Sequence, residues 1–188
     1  SSARPNMPDV HDYIKVRRAD IDAALKKLIP TSPECPPLTV EAMRYSLFAG
    51  GKRLRPILTF ATVDTVEPAN TVDNAELVRP AACAVEMIHT YSLIHDDLPA
   101  MDDDALRRGQ PTCHVVYGEG MAVLTGDGLL TEAFNLMAQK PSAPQDHDGY
   151  QLADRKLRTI ALVATAAGAI GMVGGQAIDL SSSIDKVE

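Results

Sequence analysis

Five carboxylates, Asp96, Asp97, Asp102, Asp103 and Asp104, crowd into nine residues at the end of a long apolar stretch. The stretch is alanine-rich and carries Val85, Met87, Ile88, Leu93 and Ile94, so it predicts a buried central helix over residues 80–98, broken at Pro99. Other helices must surround it, and its acidic end must reach a surface or the mouth of a cavity. Gathered like charges repel and cost stability, so folding alone gives little reason to collect them there. A divalent cation offsets that repulsion: hard ions such as Mg²⁺ take oxygen ligands, commonly one or two carboxylates together with substrate phosphates. Arg107 and Arg108 follow at once and would meet, in forked geometry, the phosphate oxygens the metal leaves uncovered. The plain alternative for this stretch is a solvated acidic loop capped by basic residues.

Around that centre the chain reads as helix throughout. Val10, Ile14, Ile21, Leu25 and Leu28 recur at helical steps with charged residues between them, one apolar stripe over residues 9–28. Pro30, Pro36 and Pro37 end it, and Thr39 with Glu41 starts a second helix that stops at Gly50-Gly51, a pair suited to a left-handed helix end. Pro56 opens a third helix through about Val63, and a polar stretch over residues 67–74 leads to the central one. Two more are predicted over residues 121–139 and 149–179, separated by a loop with Pro141 and Pro144. Strand alternation and internal repeats are lacking, so the expected class is all-α: one domain over residues 9–188 behind a flexible N-terminal remnant, residues 1–8.

Charge narrows the partners. At a net charge of −7 the chain lacks the basic footprint that nucleic acid or an anionic membrane surface requires. The most apolar stretch, residues 160–178, is interrupted by glycines, threonines and a glutamine, so no membrane insertion is expected. Cys35, Cys83 and Cys113 are odd in number and widely spaced, which reads as free thiols in a reducing compartment, with the cytoplasm as the expected location and the plastid stroma as the alternative.

A second chemical signal is Gly50-Gly51-Lys52-Arg53-Leu54-Arg55-Pro56, three cations in four residues behind a glycine pair. It lacks the spacing of a P-loop and by itself could be an ordinary basic helix start. Beside the acid cluster it suggests a site for two anionic groups. On the central helix His89 lies seven residues before Asp96, within about 20° of the same face and roughly 10 Å further from the acidic end. Ser92 is one turn below Asp96, and Tyr91 flanks it. A lone helical histidine is more often a satisfied core residue, so His89 earns notice only through this alignment.

Taken together, the Gly50 to Pro56 motif, the stretch from Glu86 to Arg108, Gly126-Asp127 and Gly174-Gly175-Gln176-Ala177-Ile178-Asp179 closely resemble the trans-isoprenyl diphosphate synthases, in particular their bacterial and plastid branch. The resemblance implies an isoprenoid synthase helical bundle around a deep central cavity, usually in a homodimer, that condenses isopentenyl diphosphate with an allylic diphosphate. It implies Mg²⁺ ligation by Asp96, Asp97 and Asp102, contact of Arg107 with the allylic diphosphate, and contact of Lys52, Arg55, His89 and Arg108 with isopentenyl diphosphate. Gln176 falls among the substrate-binding residues. Tyr91 and Ser92 correspond to the floor that limits chain length, and the bulk of Tyr91 favours farnesyl diphosphate as product, with geranylgeranyl diphosphate as runner-up.

Members of that family continue to a second aspartate-rich cluster, and Asp127 and Asp179 do not form one here. Residues 9–188 are therefore expected to be the N-terminal two-thirds of the family's domain. The alternatives are a short, non-catalytic subunit of a heteromeric synthase, or a terpene cyclase of the related fold, which would leave Lys52, Arg55 and His89 without a role. Ala105 stands where the family often has an acid, a smaller departure.

Overall fold

The computed structural model describes residues 9–66, 72–142 and 147–184. Helix α1 (Val10–Leu28) starts at Asp9, whose carboxylate accepts the His11 amide and so satisfies one free donor of the first turn. It buries Ile21, Ala24 and Leu25, the inner part of the predicted stripe. Helix α2 (Pro37–Leu47) opens on proline, whose missing amide costs nothing at that position. It is followed by α3 (Leu54–Val66) and α4 (Val72–Asp96). The chain then forms a two-stranded hairpin, β1 (Leu106–Arg107) and β2 (Gln110–Pro111), a short α5 (Cys113–Tyr117), and the longer helices α6 (Glu119–Gln139), α7 (His147–Ala167) and α8 (Met172–Ile184).

α4 is the axis of the bundle. It packs on α6 and α3, with α1 and α2 completing its surround. Ala82, Cys83, Ala84 and Met87 on α4 are fully buried, as are Ala122, Leu129 and Ala133 on α6. Small side chains let these two helices approach, and large ones such as Phe60 and Met87 fill the remaining space, each contributing about 1.5–3 kcal/mol by burial. The three cysteines are free thiols, and burial pushes that of Cys83 up to about 12, which leaves it inert.

The expected class holds, with four departures. The central helix starts at Val72 rather than near Pro80; the buried ring of Pro80 sits inside it, where packing offsets the backbone hydrogen bond that proline forgoes. The final helix divides at residues 168–171, where Gly168 and Gly171 lie so close to the Ala164 and Ala166 carbonyls that a side chain at either position would collide with them. The hairpin and α5 were not anticipated, since two-residue strands are too short to show alternation. Finally, the stretch His147–Ser182 is long and apolar enough to cross a membrane by length and composition alone, so composition does not support the expected absence of insertion. The N-terminal remnant, residues 67–71 of the polar stretch, Pro144 and residues 185–188 lie outside the described residues.

α4 and α6 approach closely at Gly126. A Cβ there would overlap the His95 ring, whose Nε2 lies 3.1 Å from the Val123 carbonyl and whose plane meets the edge of Tyr91 at 5.5 Å between centroids. Gly126→Ala is expected to lower unfolding free energy by about 1–3 kcal/mol, the overpacking cost exceeding the gain in helix propensity; a urea titration with an unchanged midpoint would refute it.

Candidate functional site: an anion pocket beside an acidic helix end

Gly50 and Gly51 both have positive φ, 91° and 148°, and carry the chain from α2 into α3. Arg53, with φ of 52°, is held in a conformation that disfavours side chains, and its surroundings explain why. Its guanidinium donates to Asp22 at 2.8 Å, to Glu86 at 2.9 Å and to the Leu47 carbonyl at 2.8 Å. The side chains of Arg53 and Glu86 are both only 4% exposed. Of the three cations of the motif, then, Arg53 is structural: it ties α1, α2 and α4 to the loop.

Its neighbours Lys52 and Arg55 line a cavity of ≈ 550 Å³ together with His89 and Arg108, so all four residues expected to meet isopentenyl diphosphate share one space. Arg18 of α1 joins them; in the sequence it is one of the charged residues between the apolar positions of that helix, with nothing to single it out. Glu86 is the one carboxylate among the described lining residues, and Arg53 occupies it. The pocket is therefore positive in a chain that is negative overall. Arg108 reaches it from the hairpin, where Arg108 and Gly109 both take positive φ as a two-residue turn of the primed type requires. Its guanidinium donates to the Gly50 carbonyl and lies against Gly51, where a side chain would collide with it. Tyr45 of α2 donates to the Pro111 carbonyl at 2.7 Å and anchors the hairpin from below.

The acidic end is arranged differently from the expectation. The amide of Asp102 donates to the Asp96 carbonyl at 2.8 Å, which folds the loop back and sets Asp102 beside Asp96. Burial, then the Asp102 charge, raises the Asp96 carboxyl above its usual range. Asp97 instead turns inward. It is 3% exposed, and Arg107 grips it, Nε at 2.7 and 3.0 Å from its two oxygens and Nη2 at 2.5 Å. Asp97, expected at the metal, and Arg107, expected at the allylic diphosphate, here bond to each other, since an unpaired carboxylate that deep would be costly. No group of three or more potential ligands converges among the described residues. Gln176, expected at the substrate, donates from Nε2 to Asp96 Oδ1 at 2.5 Å and brings α8 to the acidic end.

An apolar cavity of ≈ 230 Å³ adjoins the anion pocket, lined by Val85, Ile88, Ser92, Val163 and Met172. Arg55 and His89 line both spaces. Ser92 donates to the His89 carbonyl at 2.9 Å, while Tyr91 is 7% exposed and turned toward His95. Of the two residues expected to form the floor, Ser92 lines this cavity.

Residues 36–188 match the family model described as polyprenyl synthetase. A farnesyl diphosphate synthase from Geobacillus stearothermophilus is 47% identical over 179 residues, covering 91% of this chain and 54% of that protein. The heterodimeric geranylgeranyl pyrophosphate synthase large subunit 1, chloroplastic, of Arabidopsis thaliana is 45% identical over 96% of this chain and 45% of its own. The crystal structure of an FPP/GFPP synthase from Zymomonas mobilis superposes with a TM-score of 0.78 at 41% identity, covering 92% of this chain and 58% of the other. The chain spans about half the length of the curated relatives it matches.

Two measurements test the electrostatics. Arg53→Met strands the Glu86 carboxylate and should cost about 3–5 kcal/mol, whereas adding Glu86→Leu should recover much of that loss; equal stability of the single and double variants in denaturant would contradict the assignment. Burial, then the neighbouring Arg55, lowers the His89 pKa below its ordinary 6.5. The unfolded chain then binds more protons than the folded one, so stability is complete above pH 6.5 and falls as pH drops through the depressed value. His89→Gln should flatten that limb of the stability profile.

Proposed function

The chain belongs to the polyprenyl synthetase family, and we propose that it carries the diphosphate-binding half of a Mg²⁺-dependent prenyltransferase that joins isopentenyl diphosphate to an allylic diphosphate, with farnesyl diphosphate as the main product. The observation that carries the reading is the sharing of Arg55 and His89 between a cationic pocket and an apolar cavity, both lined by the helix that ends at Asp96. A substrate with a diphosphate head and a hydrocarbon tail needs those two environments in contact.

Lys52, Arg55 and Arg108 would hold the diphosphate of isopentenyl diphosphate, and neutral His89 would add an N–H donor without a further charge. Asp96 and Asp102 would hold the metal: two adjacent carboxylates, one of them destabilised as an anion by burial and then by its neighbour, form a donor set that a hard cation relieves. When bound, Mg²⁺ neutralises charge on the departing diphosphate. Gln176 keeps Asp96 oriented, and the Asp97–Arg107 pair braces the same loop from inside. Val85, Ile88, Val163 and Met172 exclude water, which would otherwise quench an allylic cation to an alcohol. Ser92 would bound the tail directly, with the buried Tyr91 next to it in sequence supplying bulk behind that wall.

We extend the proposal to a homodimer, supported by the exposed Leu157 and Leu162 of α7, 66% and 72% accessible, and to a cytoplasmic or plastid setting. Membership of a heteromeric synthase is the second reading, favoured by the name of the Arabidopsis relative.

Incubation with isopentenyl and geranyl diphosphates, Mg²⁺ and labelled substrate should give a fifteen-carbon product. Asp96→Asn should lower turnover at least 100-fold, Lys52→Ala with Arg55→Ala should abolish calorimetric binding of isopentenyl diphosphate, and Tyr91→Ala should shift product toward twenty carbons. Unimpaired isopentenyl diphosphate binding after the double substitution would sink the assignment of the pocket.

A further inference from the structure

A separate cavity of ≈ 500 Å³ opens at the other end of α4. Ala81, in its wall, lies fifteen residues before Asp96, about 22 Å away by helical rise. The wall is apolar: Val63 at the end of α3, Val78 and Ala81 in the first part of α4, Met137 near the end of α6 and Leu152 on α7. α7 rests on α6 and α8 and so leaves a crease over this part of α4. Such a volume falls within the range of small-molecule sites.

The rim has the opposite character. Lys140, Arg155 and Lys156 stand around the opening, and among the described lining residues there is no carboxylate. Asp154, the nearest acid in sequence, is paired with Arg158 at 3.0 Å. Lys140 and Arg155 form no ion pair among the described residues, and Lys156 donates at 2.8 Å to the Pro141 carbonyl, a neutral partner that leaves its charge uncompensated. Burial lowers the Lys156 pKa, so an anion arriving there would relieve a strained ammonium. Three uncompensated cations over a hydrocarbon-lined hole are conspicuous in a chain of net charge −7.

We infer that this cavity is a second ligand site, which takes a soluble single-tailed amphiphilic phosphate with its head on the Lys140, Arg155 and Lys156 rim and its tail between Val78, Ala81 and Leu152. The inference does not rest on the proposed prenyltransferase chemistry, whose residues lie at the far end of α4. Charge complementarity selects the head, and the apolar wall selects a hydrocarbon tail over a sugar or nucleoside, which would leave polar groups unpaired.

The test is calorimetric titration with dodecyl phosphate, below its micellar concentration and with EDTA present. It is run on the unsubstituted chain and in the Lys52→Ala/Arg55→Ala background, which removes the cations of the diphosphate pocket. Saturable one-to-one binding should persist in that background, weaken at least tenfold on adding Lys140→Glu with Arg155→Glu, two exposed positions, and weaken similarly on adding Ala81→Trp. Inorganic phosphate alone should not bind in the same background. Loss of binding on removing Lys52 and Arg55, indifference to rim charge reversal, or binding of inorganic phosphate as tight as dodecyl phosphate would each overturn it.

Discussion

A buried ion pair between Arg53 and Glu86 fixes the geometry on which the site depends. Burying two charges is expensive, and the cost is offset by further hydrogen bonds; here Asp22 and the Leu47 carbonyl accept from two more N–H groups of the guanidinium. The arrangement does more than hold helices together. It spends one cation of a three-cation motif on turning the loop inward, which holds the strained backbone at Arg53 and leaves Lys52 and Arg55 on the pocket side. A single bonded arginine thereby orients its neighbours, which need no partner of their own within the protein.

The same logic repeats at the acidic end. The buried Asp97 and the partly exposed Arg107 neutralise each other, and Asp96 and Asp102 are left adjacent. Asp96 accepts a hydrogen bond from Gln176, and neither it nor Asp102 forms an ion pair among the described residues. His89, kept neutral by burial and by Arg55, is a donor whose protonation would oppose the binding of cations nearby but strengthen that of anions. Gln176 links α8 to this end, so the last described helix helps define the site although most of its surface is exposed.

Much of the fold was legible because helical periodicity and proline punctuation are local signals. α1 and α6 fall close to their predicted spans, and the alanine-rich α4 is the buried axis. What misled was also local. Pro80 resembled a helix start, yet packing keeps it in the interior of α4, and the glycines at the break of the last helix lie against carbonyls four and five residues earlier, a close approach that spacing alone does not reveal. In the candidate site, the grouping of Lys52, Arg55, His89 and Arg108 followed the expectation, whereas Arg18 entered from a helix whose polar face gave no reason to single it out.

Sequence alone determined that this chain would be helical, with an acidic cap on its central helix and a basic turn elsewhere, because residue type and spacing act over one or two helical turns. It also supplied the family, through motifs in a shared order. Only the tertiary structure decided which charges face each other. Arg53 against Glu86, Arg107 against Asp97 and the uncompensated rim of Lys140, Arg155 and Lys156 depend on distances between remote segments, and the energy of a charge is set by what surrounds it rather than by its place in the chain.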